Sequence, residues 1–202
     1  MNASRATTRI FTPLLWLFLQ LTGAACGTGD VVVAELDSAS NAHPCRMNAE
    51  CAPTAYCAKA TCSDTSGSCL LRPLMCDNTD AMAAASCGCD GVTYWNDCLR
   101  EQSGVAAHTD GECAASAAMC SSADAAGCPT PGASCARLLP GGPACPADTI
   151  GACWVLPPDC PMMMPGTGTR WLACDGSNSC DDTCAAIRSG MPHRHDFVGG
   201  CR

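Results

Sequence analysis

The chain has 202 residues, of which 21 are cysteines, and a formal net charge of -8. Only three tryptophans, two tyrosines and one phenylalanine follow residue 25, which is too little aromatic surface for a large hydrophobic core. We therefore expect disulfide bonds to stabilise the fold, in an oxidising compartment. The acidic charge, with Lys59 as the only lysine, argues against binding to nucleic acid or to anionic lipid headgroups.

Residues 1–25 have the pattern of a secretory signal peptide. Arg5 and Arg9 precede an apolar run from residue 10 to residue 21. The small residues Gly23-Ala24-Ala25 follow at the expected cleavage site. The apolar run has about a dozen residues, whereas a membrane-spanning helix needs about 20. We predict an exported protein without a transmembrane helix, and the loss of the two arginines takes its net charge from -8 to -10.

Cys26 accounts for the odd number of cysteines. It follows the expected cleavage site directly, and residues 23–26 resemble a bacterial lipobox, in which the cysteine becomes the lipidated N-terminus. Gly23 stands where that motif prefers leucine, so ordinary cleavage with a free or intermolecularly paired Cys26 stays open. Residues 26–43 are predicted to be a tether. The expected location is extracellular or in the cell envelope, as an outer-membrane lipoprotein that meets the membrane through its lipid anchor alone.

The remaining twenty cysteines form two sets of ten with similar spacing, from Cys45 to Cys113 and from Cys120 to Cys201. Both sets share a seven-residue interval and a Cys-Asp-Gly motif. The matching positions are Cys69 and Cys76 with Cys153 and Cys160, and Cys89-Asp90-Gly91 with Cys174-Asp175-Gly176. The repetition predicts two homologous units, residues 44–114 and 115–202, each with five disulfides. Chance similarity in a cysteine-rich chain is the alternative.

The sequence of the first unit after residue 89 predicts a turn, a strand and a short helix, followed by a second strand that runs back. Asp90-Gly91 favours the turn, and the β-branched and aromatic residues Val92–Trp95 favour the strand. Asn96 is a suitable N-cap for a helix over residues 97–103, and Gly104 is a suitable left-handed terminator.

The second unit predicts the same helix, with Asp182 as its N-cap, residues 183–189 as its body and Gly190 at its end. The predicted fold class is therefore small, disulfide-rich α+β. We expect two tandem units that consist mostly of loop, with short strands and one short helix in each.

The first unit resembles the Kazal domain family, in its bacterial, follistatin-like form, along Cys87-Gly88-Cys89-Asp90-Gly91-Val92-Thr93-Tyr94-Trp95-Asn96-Asp97-Cys98, and then at Gly104 and Gly111-Glu112-Cys113. The resemblance covers residues 69–113, and residues 153–201 in a degenerate form. The cluster over residues 45–62 is similar to the small cysteine-rich hairpin that precedes Kazal modules in follistatin-like proteins. The resemblance implies a three-stranded sheet and a short helix in each unit.

The family's disulfide pattern implies three bonds in each unit. They are Cys76–Cys98, Cys87–Cys113 and Cys69–Cys89 in the first unit, and Cys160–Cys184, Cys174–Cys201 and Cys153–Cys180 in the second. Cys69–Cys89 is implied because Glu101 stands where the family has its fifth cysteine. Spacing leaves open the pairing of the other eight cysteines, Cys45, Cys51, Cys57, Cys62, Cys120, Cys128, Cys135 and Cys145.

The resemblance implies a serine protease inhibitor. Many Kazal domains insert the loop after their second cysteine into a protease active site, and a rigid loop loses little conformational entropy on binding. In the first unit this loop is Asp77-Asn78-Thr79, with Asn78 entering the specificity pocket as the P1 residue and Asn96 bracing the loop. In the second unit the P1 residue is Met162, which suits an elastase-like or subtilisin-like pocket.

The first loop departs from the family pattern in two respects. It is longer than usual and contains Ala83-Ala84-Ala85, and an asparagine at P1 suits neither trypsin-like nor chymotrypsin-like pockets. The alternative function is a non-inhibitory protein-binding or spacer module of the follistatin-like type at the cell surface. The expected partner is accordingly an extracellular serine protease or another surface protein.

Enzymatic chemistry and metal binding have little support in the sequence. The chain has no Cys-x-x-Cys knuckle of the kind that binds zinc and no Gly-x-Ser-x-Gly nucleophile motif. We therefore predict no catalytic residue, no metal site and no cofactor.

Overall fold

The computed structural model describes residues 43–77, 84–121, 127–141, 144–146, 148–162, 168–196 and 201. The predicted signal peptide, Cys26 and almost all of the predicted tether lie outside these residues. Asn78 and Thr79 of the first predicted loop lie outside them as well. In the part of the chain that is described, no helix is long and apolar enough to cross a membrane.

Regular structure in the described residues is limited to thirteen short strands, two α-helices and one 3-10 helix over Asn48–Glu50. The helices are α1 (Asp97–Gln102) and α2 (Thr183–Ser189). The strands are β1 (Pro44–Cys45), β2 (Ala55–Ala58), β3 (Gly67–Leu71), β4 (Ser86–Gly88), β5 (Thr93–Tyr94), β6 (Ala107–Asp110), β7 (Met119–Cys120), β8 (Ser134–Ala136), β9 (Leu138–Leu139), β10 (Gly151–Val155), β11 (Arg170–Ala173), β12 (Cys180–Asp182) and β13 (His193–His195).

Each unit begins with a small antiparallel arrangement of three strands. In the first unit β3 lies between β1 and β2, and in the second unit β10 pairs with β7 and β8. The registers agree, since Cys57 lies opposite Cys69 on β3 and Cys135 lies opposite Cys153 on β10. The similarity between the units therefore extends from cysteine spacing to strand pairing.

Each unit continues with a second antiparallel arrangement and a helix. The order is β6-β4-β5 in the first unit and β13-β11-β12 in the second, with α1 after β5 and α2 after β12. In the second unit β9 also pairs with β13, in parallel.

Both helices begin where the sequence predicts; α2 also ends at the predicted Ser189, whereas α1 ends at Gln102, one residue before the predicted end. The side chains of Asn96 and Asp182 accept hydrogen bonds from the backbone N–H three residues later, at 2.8 and 2.9 Å. Gly104 and Gly190 follow the helices with φ of 72° and 65°. Such left-handed backbone favours glycine because it has no Cβ to clash.

The described residues form ten disulfide bonds. They are Cys45–Cys57, Cys51–Cys69, Cys62–Cys89, Cys76–Cys98, Cys87–Cys113, Cys120–Cys135, Cys128–Cys153, Cys145–Cys174, Cys160–Cys184 and Cys180–Cys201. Three of the six pairs implied by the family resemblance are among them: Cys76–Cys98, Cys87–Cys113 and Cys160–Cys184.

The pair expected between Cys69 and Cys89 is replaced by two others. Cys69 pairs with Cys51, and Cys89 pairs with Cys62. Cys69 lies on β3 in a buried cluster of cysteines, whereas Cys89 is an exposed turn residue after β4. Because β3 and β4 belong to different sheets, Cys69 and Cys89 do not meet.

The pairs expected at Cys153–Cys180 and Cys174–Cys201 are also corrected. Cys153 lies on β10 and pairs with Cys128, so Cys180 on β12, in another sheet, is left to pair with Cys201. Cys174, in the turn after β11, pairs with Cys145. Cys174 and Cys89 are equivalent in their Cys-Asp-Gly motifs, and each pairs with the fourth cysteine of its unit.

The disulfide that ends at the last cysteine of each unit, Cys113 or Cys201, is the one whose first cysteine differs in position between the units. It starts from Cys87 on β4 in the first unit and from Cys180 on β12 in the second. Leu172 occupies the position equivalent to Cys87, two residues before the Cys-Asp-Gly motif, and Cys180 lies opposite Leu172 in the hairpin. The bond has therefore moved to the neighbouring strand while the hairpin is kept.

The two units share a sheet and a hydrophobic core. Strand β5 pairs in parallel with β10, and the Trp95 N–H donates to the Val155 carbonyl oxygen at 3.0 Å. The Trp95 and Trp154 rings lie 6.4 Å apart, in a buried cluster that also contains Leu99 of α1 and Ile187 of α2. The two predicted units therefore pack against each other around a common core, and the cysteines of the first sheet form a smaller core of their own.

Candidate functional site

The chain just before the first predicted loop, residues 73–76, is fastened to α1, and we call this segment with its helix contacts the first loop base. Cys76, which opens the loop, is joined by a disulfide to Cys98 in the first turn of α1. In the last turn, Gln102 Nε2 donates to the carbonyl oxygens of Pro73 and Leu74 at 3.4 and 3.2 Å. The chain is thus held to both ends of the helix just before the loop begins.

The second loop has an equivalent base on α2. Cys160 is joined to Cys184, and the Arg188 guanidinium donates to the Pro157 carbonyl oxygen. Arg188 and Gln102 each follow the helical cysteine by four residues, and Pro157 and Pro73 each precede the loop cysteine by three. The two bases are therefore built in the same way.

The two disulfides of the bases were predicted from the sequence, but the residues that add the hydrogen bonds, Gln102 and Arg188, and their partners Pro73 and Pro157 were not. A signal was present, because both units contain a Pro-x-x-Cys motif before the loop: Pro73-Leu74-Met75-Cys76 and Pro157-Pro158-Asp159-Cys160. The motif indicates a loop base only when the residue four positions after the helical cysteine can donate to a carbonyl oxygen of the motif. That donor is distant in the chain, so the motif alone does not reveal it.

Three large apolar side chains at the bases project into solvent. The exposed fractions are 88% for Leu74, 87% for Met75 and 97% for Met162. Burial of such a side chain is worth about 1.5–3 kcal/mol, so a partner that covers all three gains substantial binding free energy. Met162 is also the predicted P1 residue of the second loop.

One open cavity lies where the two loops begin. Its volume is about 520 Å³, and its lining contains Cys76 and Asp77 from the first loop and Cys160, Pro161 and Met162 from the second. Pro158 and Asp159 complete the lining. The structure thus brings Asp77, a predicted site residue, next to the second unit's loop.

Asn96 has a clear structural role at the start of α1. Its Oδ1 accepts from the Leu99 N–H at 2.8 Å, which is the predicted N-cap contact. Its predicted bracing of the first loop concerns Asn78 and Thr79, which lie outside the described residues.

Arg100 secures α1 to the sheet beneath it. It is 5% exposed, and it donates to Ser86 Oγ at 3.1 Å, to Asp97 Oδ1 at 2.9 Å and to the Val105 carbonyl oxygen at 2.7 Å. Partial burial raises the pKa of Asp97, but the hydrogen bonds from Ser86 and Arg100 and the positive charge of Arg100 outweigh it and hold the pKa below its usual value. The helix that carries the first loop base is thereby fixed in place.

A polar contact of side chains also joins the two units. The Asp90 carboxylate accepts from the Tyr94 hydroxyl at 2.8 Å and from Thr130 Oγ1, in the second unit, at 2.6 Å. Burial raises the pKa of Tyr94 above its usual range, so its hydroxyl stays protonated and donates to Asp90. This contact adds to the β5–β10 pairing that holds the units together.

Two clusters of three sulfur atoms resemble metal sites by distance alone. In each, the sulfurs lie within 4.8 Å of one another; the clusters are Cys45, Cys51 and Cys69, and Cys120, Cys128 and Cys153. All six cysteines are in disulfides, so none offers the thiolate that a metal requires. The clusters are adjacent disulfides at equivalent positions in the two units.

The groups around the loop bases are suited to contact with a peptide or protein. They combine exposed apolar side chains, proline rings and two exposed carboxylates, Asp77 and Asp159. Comparison of the chain with protein-family models and with curated proteins gives no match.

Proposed function

We propose that the protein is an exported, Kazal-like serine protease inhibitor whose binding loops follow Cys76 and Cys160. The observation that best supports this proposal is the pair of loop bases, where a disulfide and a side-chain hydrogen bond fasten the start of each loop to a helix. A loop that is already held in its bound conformation loses less entropy when a protease captures it.

The arrangement of the first unit supports the Kazal-like part of the proposal. Three antiparallel strands lie in the order β6-β4-β5, and the short helix α1 follows β5 in the chain. The Cys87–Cys113 bond starts from β4. The Cys76–Cys98 bond then connects the loop to that helix. These features agree with what the family resemblance implies, although Cys69 and Cys89 have other partners.

Met162 supports a preference for proteases with an apolar specificity pocket. Its side chain is 97% exposed, directly beyond the base formed by Cys160 and Cys184. An unbranched, flexible thioether enters a medium-sized apolar pocket of the elastase or subtilisin type with little steric conflict. A lysine at this position would instead suit the acidic pocket of a trypsin-like protease.

The test is a protease panel with a change of specificity. We expect the wild-type protein to inhibit an elastase-class or subtilisin-class protease, and Met162→Lys to shift the preference towards trypsin by on the order of 100-fold. Inhibition constants from steady-state kinetics measure the shift. Met119→Lys, at a half-exposed methionine on β7, is the matched control and should leave the constants unchanged. Absence of inhibition across trypsin-, chymotrypsin-, elastase- and subtilisin-class enzymes would overturn the proposal.

A specific observation favours the alternative, a non-inhibitory surface-binding module. Leu70 and Leu71 on β3 are 43% and 57% exposed. The equivalent residues of the second unit, Trp154 and Val155, are covered by β5 of the first unit. The first unit therefore leaves uncovered two apolar side chains whose counterparts in the second unit are covered, and another surface protein would bury them on binding.

The location of the protein follows in part from its chemistry. Ten disulfides fit an extracellular or secreted protein. Lipidation at Cys26 and an outer-membrane location are further parts of the proposal, and they rest on the sequence alone.

A further inference from the structure

We infer that the disulfide Cys62–Cys89 is a site of reversible thiol–disulfide exchange, and that its substrate is a small thiol that carries carboxylate groups. The attacking thiolate bonds to one of the two sulfur atoms, and the other cysteine leaves as a thiolate. A second thiolate then attacks the mixed disulfide, which releases the small thiol as its own disulfide and leaves two reduced cysteines. This chemistry is separate from protease inhibition and does not depend on it.

The exposure of the sulfur atoms is the first argument. Exchange requires a thiolate to reach a sulfur atom, so accessible disulfides react and buried ones are inert. Both Cys62 and Cys89 are exposed. In the other nine disulfides of the described residues, every cysteine is buried or half-buried. Access therefore favours this bond over all the others.

The charge of the neighbouring cavity is the second argument. Cys62 and Cys89 line an open cavity of about 300 Å³ together with Arg46 and Lys59, and no acidic residue is among its described lining. Neither Arg46 nor Lys59 forms a salt bridge within the described part of the chain. The cavity is thus positively charged in a protein whose net charge is -8. Positive charge attracts an anionic thiol and stabilises the thiolate that departs.

Two nearby carboxylates lie outside this cavity. Hydrogen bonds from Thr61 and, as a smaller effect, the charge of Lys59 lower the pKa of Asp64, which is fully exposed to solvent. Glu50 accepts from the Arg46 backbone N–H at 2.6 Å and lines a different cavity. Solvent screens such exposed charges, so the lining keeps its positive character.

The equivalent bond of the second unit lacks this exposure. Cys145 and Cys174 are both half-buried. Ser121 stands in place of Arg46, one residue after the first cysteine of the unit. One of the two positive charges is therefore absent from the second unit.

The other positive charge is present in the second unit but is engaged. Lys59 and Arg137 are equivalent, because a Cβ added at Gly67 or Gly151 would lie 3.0 Å from the Cγ of the one or the other. Arg137 Nε donates to the Thr149 carbonyl oxygen at 2.9 Å, whereas the Lys59 ammonium group has no hydrogen-bond partner among the described residues. The first unit alone combines an exposed disulfide with available positive charge.

The fold around Cys62–Cys89 is also held by other contacts. The bond joins the loop between β2 and β3 to the turn after β4, and nearby Asn48 Nδ2 donates to the Gly104 carbonyl oxygen at 2.8 Å. Four more disulfides hold the first unit: Cys45–Cys57, Cys51–Cys69, Cys76–Cys98 and Cys87–Cys113. Exchange at this site therefore modifies the folded protein rather than unfolding it.

The experiment follows the order in which the disulfides open in the full-length protein. Free thiols are first blocked, glutathione is added, and newly reduced or glutathionylated cysteines are located by peptide mapping over time. We expect Cys62–Cys89 to open on the order of 10-fold faster than Cys145–Cys174. At equal thiolate concentration, we expect the anionic glutathione to react faster at Cys62–Cys89 than the neutral mercaptoethanol, and mercaptoethanol faster than the cationic cysteamine.

Two double variants test the charge of the cavity. Arg46→Gln with Lys59→Gln removes both positive charges from the lining, and the rate with glutathione should fall on the order of 10-fold while the rate with mercaptoethanol changes little. Arg170→Gln with Arg194→Gln is the matched control, since it removes two positive charges from β11 and β13, outside this cavity. It should react as the wild type does. Peptide mapping before reduction checks that both variants keep the ten disulfides.

Either of two results would overturn the inference. The first is that Cys62–Cys89 opens no faster than Cys145–Cys174 in the wild-type protein. The second is that glutathione reacts equally fast with the two double variants, because the cavity then does not recruit the anionic thiol. Both results leave protease inhibition untouched, since the protease panel measures it independently.

Discussion

At the scale of single residues, Arg100 shows how a buried positive charge is compensated by hydrogen bonds and by the neighbouring carboxylate of Asp97. Arg100 is buried in a protein with few large apolar side chains, and it donates hydrogen bonds to Ser86 on β4, to Asp97 on α1 and to the Val105 carbonyl oxygen after α1. A buried donor without partners would cost about 1–3 kcal/mol. Asp97 is largely exposed, at 65%, so solvent screens its attraction to Arg100 and its contribution to stability is modest.

Asp97 predicts a dependence of stability on acid pH. Its pKa is lower in the folded protein than in the unfolded chain, so its stabilising effect is complete above about pH 4, the unfolded value, and is lost as pH falls through the folded pKa. Asp97→Asn should therefore flatten this part of the acid-side decline in the free energy of unfolding. Urea unfolding between pH 2 and pH 6, with disulfides intact, measures it. An equally steep decline in the variant would contradict the assignment.

At the scale of elements, the first sheet of each unit depends on a close approach between strands. Gly151 starts β10, and a Cβ added there would lie 2.6 Å from the Ala136 carbonyl oxygen on β8. Gly67 on β3 is in the equivalent position, and a Cβ there would clash with the Ala58 carbonyl oxygen on β2. The Gly-x-Cys motif is therefore required by backbone contact in both sheets.

Gly151→Ala should destabilise the protein by about 1–3 kcal/mol, because the added methyl group overpacks a contact made by backbone atoms. Gly141→Ala is the matched control, since a Cβ there meets nothing within 4 Å. Chemical denaturation followed by tryptophan fluorescence compares the two variants with the wild type. Equal midpoints for Gly151→Ala and Gly141→Ala would show that the strands can separate to accommodate the methyl group.

At the scale of the whole molecule, the units are coupled through the strand pair β5–β10. The second unit supplies Trp154 and Thr130 to the first, and the first supplies Trp95 in return. A repeat whose neighbours bury each other's surfaces is more stable as an array than as separate units. Strand β12, which is equivalent to β5, ends its sheet with Asp181 and Asp182, and charged residues of this kind protect an edge from further pairing.

Trp154→Ala should destabilise the protein by about 3–5 kcal/mol and should loosen both units, because it leaves a cavity in the shared core. Hydrogen exchange measured peptide by peptide would then show reduced protection in the first unit, around Trp95 and Leu99, as well as in the second. Trp171→Ala is the matched control, since Trp171 lies on β11 within the second unit alone. Unchanged protection of the first unit in Trp154→Ala would refute the coupling.

Interactions between residues close in the chain could be predicted from the sequence. The helix starts at Asn96 and Asp182 and the left-handed glycines at Gly104 and Gly190 are as predicted. A cap needs only a side chain and a backbone N–H three residues away, so its information is local. The dependence on disulfides likewise followed from composition, because a chain with 21 cysteines and only six aromatic residues after residue 25 has little other means of stabilisation.

Interactions between distant segments required the folded structure. Cysteine spacing does not reveal that β3 and β4 belong to different sheets, and for that reason the pairs of Cys69 and Cys89 were not predictable. The meeting of the two loops at one cavity depends likewise on the pairing of β5 with β10, two strands of different units. Disulfide partners and shared surfaces depend on which segments pack together, and that choice is made by the free energy of the whole fold rather than by any one segment.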